Sequence, residues 1–132
     1  MARRKSRRGK RRRSGLAVPF LLADMNKIRG RRCPCGESRR AFMRPANGTC
    51  TVHRVTIGAD AVPHYHKRHT EVYYFLSGRG VIELNGRKHP VRPGVAVLIR
   101  PGTRHRAVSG GRSMKILNVV IPGFDPKDEY HD

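Results

Sequence analysis

From residue 47 onward, short apolar or alternating runs are separated by Gly, Pro and Asn at close spacing. Residues 49–57 read as one strand. Residues 71–76 and 80–84 flank the Ser77-Gly78 turn, and Asn85-Gly86 is a two-residue hairpin signal leading into 87–91. Pro93-Gly94 marks another turn. Residues 95–99 form an apolar run that suits a strand buried on both faces, and Pro101-Gly102 leads into a strand over 105–108. The last strand, 114–121, stops at Pro122-Gly123. No helical period of useful length interrupts this region, so the expected class is all-β, a sandwich or barrel. Upstream, the 36–40 stretch is expected to enter the barrel edge. The 124–130 tail, acidic and turn-rich, is expected either to pack back on the barrel or to stay loose.

Alternation also assigns faces. On a strand, His64 and His66 point the same way. Glu71 opens the following strand and shares a face with Tyr73 and Phe75, and His105 begins a later strand just after a Pro-Gly turn. Two imidazoles, a carboxylate and a further imidazole make a nitrogen and oxygen donor set suited to one divalent transition metal, such as Fe, Mn, Zn or Ni. His69, His89 and His131 read as surface or hydrogen-bonded histidines. His53 shares a face with Val55 and Ile57. It is a candidate second-row or catalytic group if that face is the lumen, and an outward polar residue if it is not. Tyr73 is a core aromatic that could also offer its hydroxyl as an acid or hydrogen-bond donor.

The histidines lie in Gly58-x5-His64-x-His66-x4-Glu71-x6-Gly78, and a second segment reads Gly94-x7-Gly102-x2-His105. These segments resemble the two motifs of the cupin superfamily, with an intervening 15 residues. The 64–78 run is similar to small single-domain cupins likened to mannose-6-phosphate isomerase. The resemblance covers residues 45–121 and implies a small antiparallel jelly-roll barrel. His64, His66, Glu71 and His105 match the family's metal ligands. Arg100 stands where the family usually has Pro, and Ser109 where it often has Asn. The implied function is a metal-dependent enzyme acting on an oxygenated, anionic small metabolite, of isomerase type first and dioxygenase second. Arg54, Arg100, Arg104 and Arg106, from segments flanking the pocket, are candidate anion-binding residues. Small cupins of this kind also resemble homodimers.

Charge divides the chain. The net charge is +20, and residues 1–32 hold 13 of the 29 Lys and Arg with one of the nine acids, which places +12 there. Nine of those basic residues lie between Arg3 and Arg13. Such a block repels itself and is expected to be disordered. The expected organisation is therefore a basic extension, 1–32, before a domain over 33–132. The alternative function is a sugar- or acid-sensing barrel whose residues 3–13 contact nucleic acid. Met25 is a second candidate start. Residues 16–23 resemble the apolar stretch of a signal peptide, but the run is short, holds Pro19 and lacks a small-residue cleavage pattern. It is read instead as a short helix or strand packing on the domain. No run of 18 apolar residues is present, so no transmembrane helix is expected. Three cysteines, two of them in Cys33-Pro34-Cys35, do not form a disulfide framework or a complete zinc site. A reducing, cytoplasmic setting is the expectation.

Overall fold

The computed structural model describes residues 19–43, 48–59 and 61–132. A 3-10 turn, Met25–Lys27, precedes nine strands: β1 (Arg31–Cys33), β2 (Gly36–Ala41), β3 (Thr51–Ile57), β4 (Thr70–Ser77), β5 (Gly80–Leu84), β6 (Arg87–Val91), β7 (Ala96–Ile99), β8 (His105–Ser109) and β9 (Met114–Ile121). Six form one sheet in the order β1-β2-β3-β9-β4-β7, and three form a second in the order β6-β5-β8. Every pairing is antiparallel. No described helix is long and apolar enough to cross a membrane.

The inward rows explain both the core and the site. Val55, Ile116 and Phe75 stand side by side across β3, β9 and β4. They pack with Ile82 and Ala107 of the second sheet, and Phe75 is wholly buried. Truncating Phe75 to Ala would cost about 3–5 kcal/mol. The next row is His53, Asn118 and Tyr73, and the one after it Thr51, Val120 and Glu71. The interior thus changes from apolar to polar along the strands, and the polar end carries the site.

Local chemistry sets the turns. Asn85 and Gly86 both have positive φ, at 50° and 84°, the pattern a two-residue hairpin requires between β5 and β6.

Several expectations change. The 95–99 run is not buried on both faces. It forms β7, which among the described residues is an outer strand paired only with β4, and Leu98 is 57% exposed. An apolar run reports two nonpolar faces, and only tertiary structure decides whether both are covered. The 16–23 run does not make an element within its described part, and Phe20 and Leu22 are 70% and 84% exposed. Residues 16–18 and the basic segment 3–13 lie outside the described residues.

Cys33 and Cys35 are joined in a disulfide, contrary to the expectation of a reduced set. The bridge spans the turn of the β1–β2 hairpin, where Cys33 pairs with Gly36. It is a local turn closure, which a count of cysteines cannot reveal. The 124–130 tail packs back: Tyr130 forms a backbone bridge with Tyr65 and Asp128 is buried.

Candidate metal centre

The four donor residues arrive from three places. Glu71 is the second residue of β4, and His105 is the first of β8. His64 and His66 lie on the extended segment before β4. That segment is tied to β8 because the His64 N–H donates to the His105 carbonyl (3.1 Å) and the His105 N–H to the His64 carbonyl (2.9 Å). The Gly102 N–H donates to the His66 carbonyl at 2.7 Å, so the turn into β8 also holds the His-x-His segment. One ligand atom from each of the four residues lies within 4.8 Å of the others.

Hydrogen bonding sets the imidazole orientation. Nδ1 of His64 donates to the Val62 carbonyl (3.1 Å), Nδ1 of His66 to the Asp128 carbonyl (2.5 Å) and Nδ1 of His105 to the Thr103 carbonyl (2.8 Å). A neutral ring that donates through Nδ1 presents a lone pair at Nε2. Nε2 of His66 and of His105 face Glu71 Oε1 at 2.8 and 3.0 Å. Lone pairs facing a carboxylate oxygen need a proton or a cation between them. This donor set, with its outer nitrogens already engaged, fits a divalent transition ion. His64, His66, Glu71 and His105 are the residues that could hold it.

The electrostatics agree. Burial pushes the Glu71 carboxyl up, but the facing His105 and His66 imidazoles outweigh it and hold the group well below the usual carboxylate range. Burial also opposes the charged form of His66, yet its bond to Glu71 raises its pKa. Burial and the neighbouring His105 lower that of His64. Asn118 donates Nδ2–H to Glu71 Oε2 at 2.6 Å and orients the carboxylate.

Behind the donors, Asp128 organises the 67–69 turn. Its carboxylate accepts the backbone N–H of Lys67 (2.8 Å), Arg68 (2.9 Å) and His69 (3.0 Å). His69 is buried rather than at the surface, and its Nε2 accepts the Asp125 N–H at 3.1 Å. His66, His69 and Asp128 also cluster. The Asp128 carboxylate is committed to the three backbone N–H groups, and His69 Nδ1 lies 3.5 Å from its Oδ2, so the cluster reads as a support for the first set.

His64, His66 and Glu71 line a cavity of about 170 Å³. Tyr73 and His53 both line it, on the inward face that alternation allowed. Burial, Glu71 and Glu129 push the Tyr73 phenol well above its usual pKa. Burial and Arg40 lower that of His53 to about 4. His53 Nε2 pairs with Thr51 Oγ1 at 2.9 Å, and its ring meets Phe124 edge-on.

The four arginines suggested by sequence are not among the lining residues. Arg54 donates to the Asn26 side chain, and Arg100 is exposed in the turn after β7. Arg104 pairs with Asp132 over the Tyr65 ring, and Arg106 pairs with Glu83 at 3.0 Å. Flanking a motif in sequence does not set the direction of a side chain. Arg40, Asn118, Phe124 and Glu129 line the cavity instead. Asn118 was reachable from the alternation of β9. The tail residues carried no comparable signal, since their approach depends on the Tyr65–Tyr130 pairing.

Comparison with known proteins fits this geometry. L-ectoine synthase from Mycolicibacterium gilvum is 36% identical over 83 residues, 61% of this chain and 62% of that protein. Quercetin 2,3-dioxygenase from Bacillus subtilis is 31% identical over 70 residues, 52% of this chain. The chain thus spans 62% of the first relative's length and 21% of the second's. A crystal structure of a protein from Planctomyces limnophilus superposes with a TM-score of 0.75 at 37% identity, covering 86% of this chain and 97% of that one. The family described as Cupin domain matches residues 51–120, the stretch that carries all four donors, and this chain belongs to that family.

Proposed function

We propose that this protein is a metal-dependent enzyme acting on a small, oxygenated, anionic metabolite by proton transfer of the isomerase type. The supporting observation is the convergence of His64, His66, Glu71 and His105, the first three of which line a cavity whose other walls carry acid–base groups. A divalent ion held there supplies a Lewis acid that polarises a ligand oxygen. The Glu129 carboxylate lines the cavity, and in this reading it takes a proton from the carbon next to that oxygen. Tyr73, kept protonated by burial, offers a hydrogen bond to a ligand oxygen without adding charge. Asn118 uses its amide N–H on Glu71, which leaves its buried Oδ1 as an acceptor without a partner among the described residues. That acceptor fits a ligand hydroxyl. The cavity size, near that of an engineered void of about 150 Å³ that binds benzene, favours a single small ring or a short chain.

The second reading is a dioxygenase, favoured by the likeness to quercetin 2,3-dioxygenase and by a donor set that also suits iron. One experiment separates the two. Metal-loaded protein is incubated in D2O with aldoses, ketoses and their phosphates, while oxygen is monitored. Deuterium appearing beside a carbonyl in one of them supports the first reading. Oxygen uptake without deuterium incorporation rejects it in favour of the second.

The proposed assembly is a homodimer through the outer face of the larger sheet, where Tyr74, Leu98 and Ile121 are exposed. Sedimentation at two protein concentrations tests it. The nucleic-acid reading rests on residues 3–13, and mobility shifts with and without residues 1–24 test that.

A further inference from the structure

We propose that Arg40 is the anion-holding residue of this cavity, gripping a carboxylate or phosphate at the end of the ligand that faces away from the four metal-type donors. The inference rests on the reading that this cavity binds a small ligand at a metal, and adds the chemistry of the ligand's other end.

Arg40 lies on β2 directly across from His53 on β3, and cross-strand partners share a face. His53 points inward, and Arg40 with it. Of the described lysines and arginines, Arg40 alone lines the cavity. Its guanidinium is held at two points. Nε donates to Ser38 Oγ at 2.9 Å, and the guanidinium carbon lies 4.9 Å from the centre of the Phe124 ring. Ser38 is itself buried, so this anchor is rigid. Among the described residues, the two terminal nitrogens have no hydrogen-bond partner and no carboxylate makes an ion pair with Arg40.

A half-buried guanidinium with no carboxylate partner is costly to keep, because burial removes hydration that one hydrogen bond and one ring contact replace only in part. Burial and the nearby Arg31 both disfavour its charge, and only Glu129 favours it, from beyond ion-pair distance. Of the other positions considered for this role, Arg54, Arg104 and Arg106 are committed to Asn26, Asp132 and Glu83, and Arg100 is exposed and does not line the cavity. The planar fork of two terminal nitrogens matches the paired oxygens of a carboxylate or phosphate. The ligand class is therefore a short hydroxy or oxo compound that presents oxygens to the metal donors and a terminal oxyanion to Arg40.

The test is calorimetric titration of the full chain loaded with Mn(II), using ligand pairs that differ only at the far end. Malate is compared with 2-hydroxybutyrate for a carboxylate, and 3-phosphoglycerate with glycerate for a phosphate. The expected result is at least tenfold tighter binding of the charged-end member in one pair, and that pair names the group. In Arg40→Gln the advantage falls below twofold, while affinity for the neutral-ended partner and bound metal stay at parental values. Equal binding of both members of each pair by the parent protein overturns the inference without recourse to a variant. Retention of the advantage in Arg40→Gln overturns it as well. Should that variant not fold, Arg40→Lys, which keeps the charge but not the fork, is expected to lose most of the preference; full retention overturns the claim. These failures are distinct from failure of the underlying reading, in which the protein takes up no metal or binds none of the four compounds.

Discussion

Asp128 lies in the tail, outside the matched family region, yet its substitution should weaken both the fold and the metal centre. The carboxylate accepts three backbone N–H groups, with Oδ1 serving Lys67 and Oδ2 serving Arg68 and His69. In Asp128→Asn, the amide oxygen can keep the Arg68 and His69 bonds. The new NH2 then faces the Lys67 N–H, donor against donor. Leaving one donor without a partner costs about 1–3 kcal/mol. The two remaining bonds lose the ionic character that makes charge-assisted bonds roughly twice as strong. Together these give about 3 kcal/mol, which at ~4 °C per kcal/mol for a domain of this size is a fall in Tm of about 12 °C. The 67–69 turn connects His66 to Glu71, and His66 is oriented by the Asp128 carbonyl. Metal affinity should therefore fall about 10- to 100-fold, as for other outer partners of metal-bound histidines. Differential scanning calorimetry of metal-free protein and competitive titration with a chromophoric chelator measure the two effects. A variant that melts within about 2 °C of the parent and binds metal equally would refute this account of the tail.

Three further outcomes are expected. His64→Ala removes a donor rather than an outer partner, so its metal affinity should fall by more than the ~100-fold upper range for outer partners, measured by the same competition. His53 has a pKa of about 4 when folded, against an ordinary 6.5. Between those values the unfolded chain binds more protons, so this contribution to stability is complete above 6.5 and is lost as pH falls towards 4. Metal-free parent should lose about 3 kcal/mol more than His53→Gln between neutral pH and about pH 4 in urea unfolding; equal losses would exclude His53 as the cause. Gly36 has φ +135°, and a Cβ there would lie 2.1 Å from the Thr56 carbonyl oxygen and 2.5 Å from the Gly58 nitrogen. Gly36→Ala should cost about 3 kcal/mol or more, and a thermal scan within about 2 °C of the parent would contradict the β2–β3 register.

The sequence alone determined the strands from 51 onward and singled out the four residues that the fold brings together, because both are written as periods and spacings. A period of two assigns Glu71, Tyr73 and Phe75 to one face, and the Asn85-Gly86 pair selects its turn with only four residues in play. The His-x-His spacing puts two imidazoles on one side of an extended segment whatever the rest of the chain does. Which chain neighbours cover a face, and where a long side chain reaches, are decided by contacts distant in sequence. That is why 95–99 became an edge strand with Leu98 outside, and why Arg54, Arg104 and Arg106 found partners away from the cavity. It is also why Arg40, Glu129 and Asp128 emerged only from the fold. Asp128 reaches the 67–69 turn across some 60 residues, and no local pattern encodes a hydrogen bond over that separation.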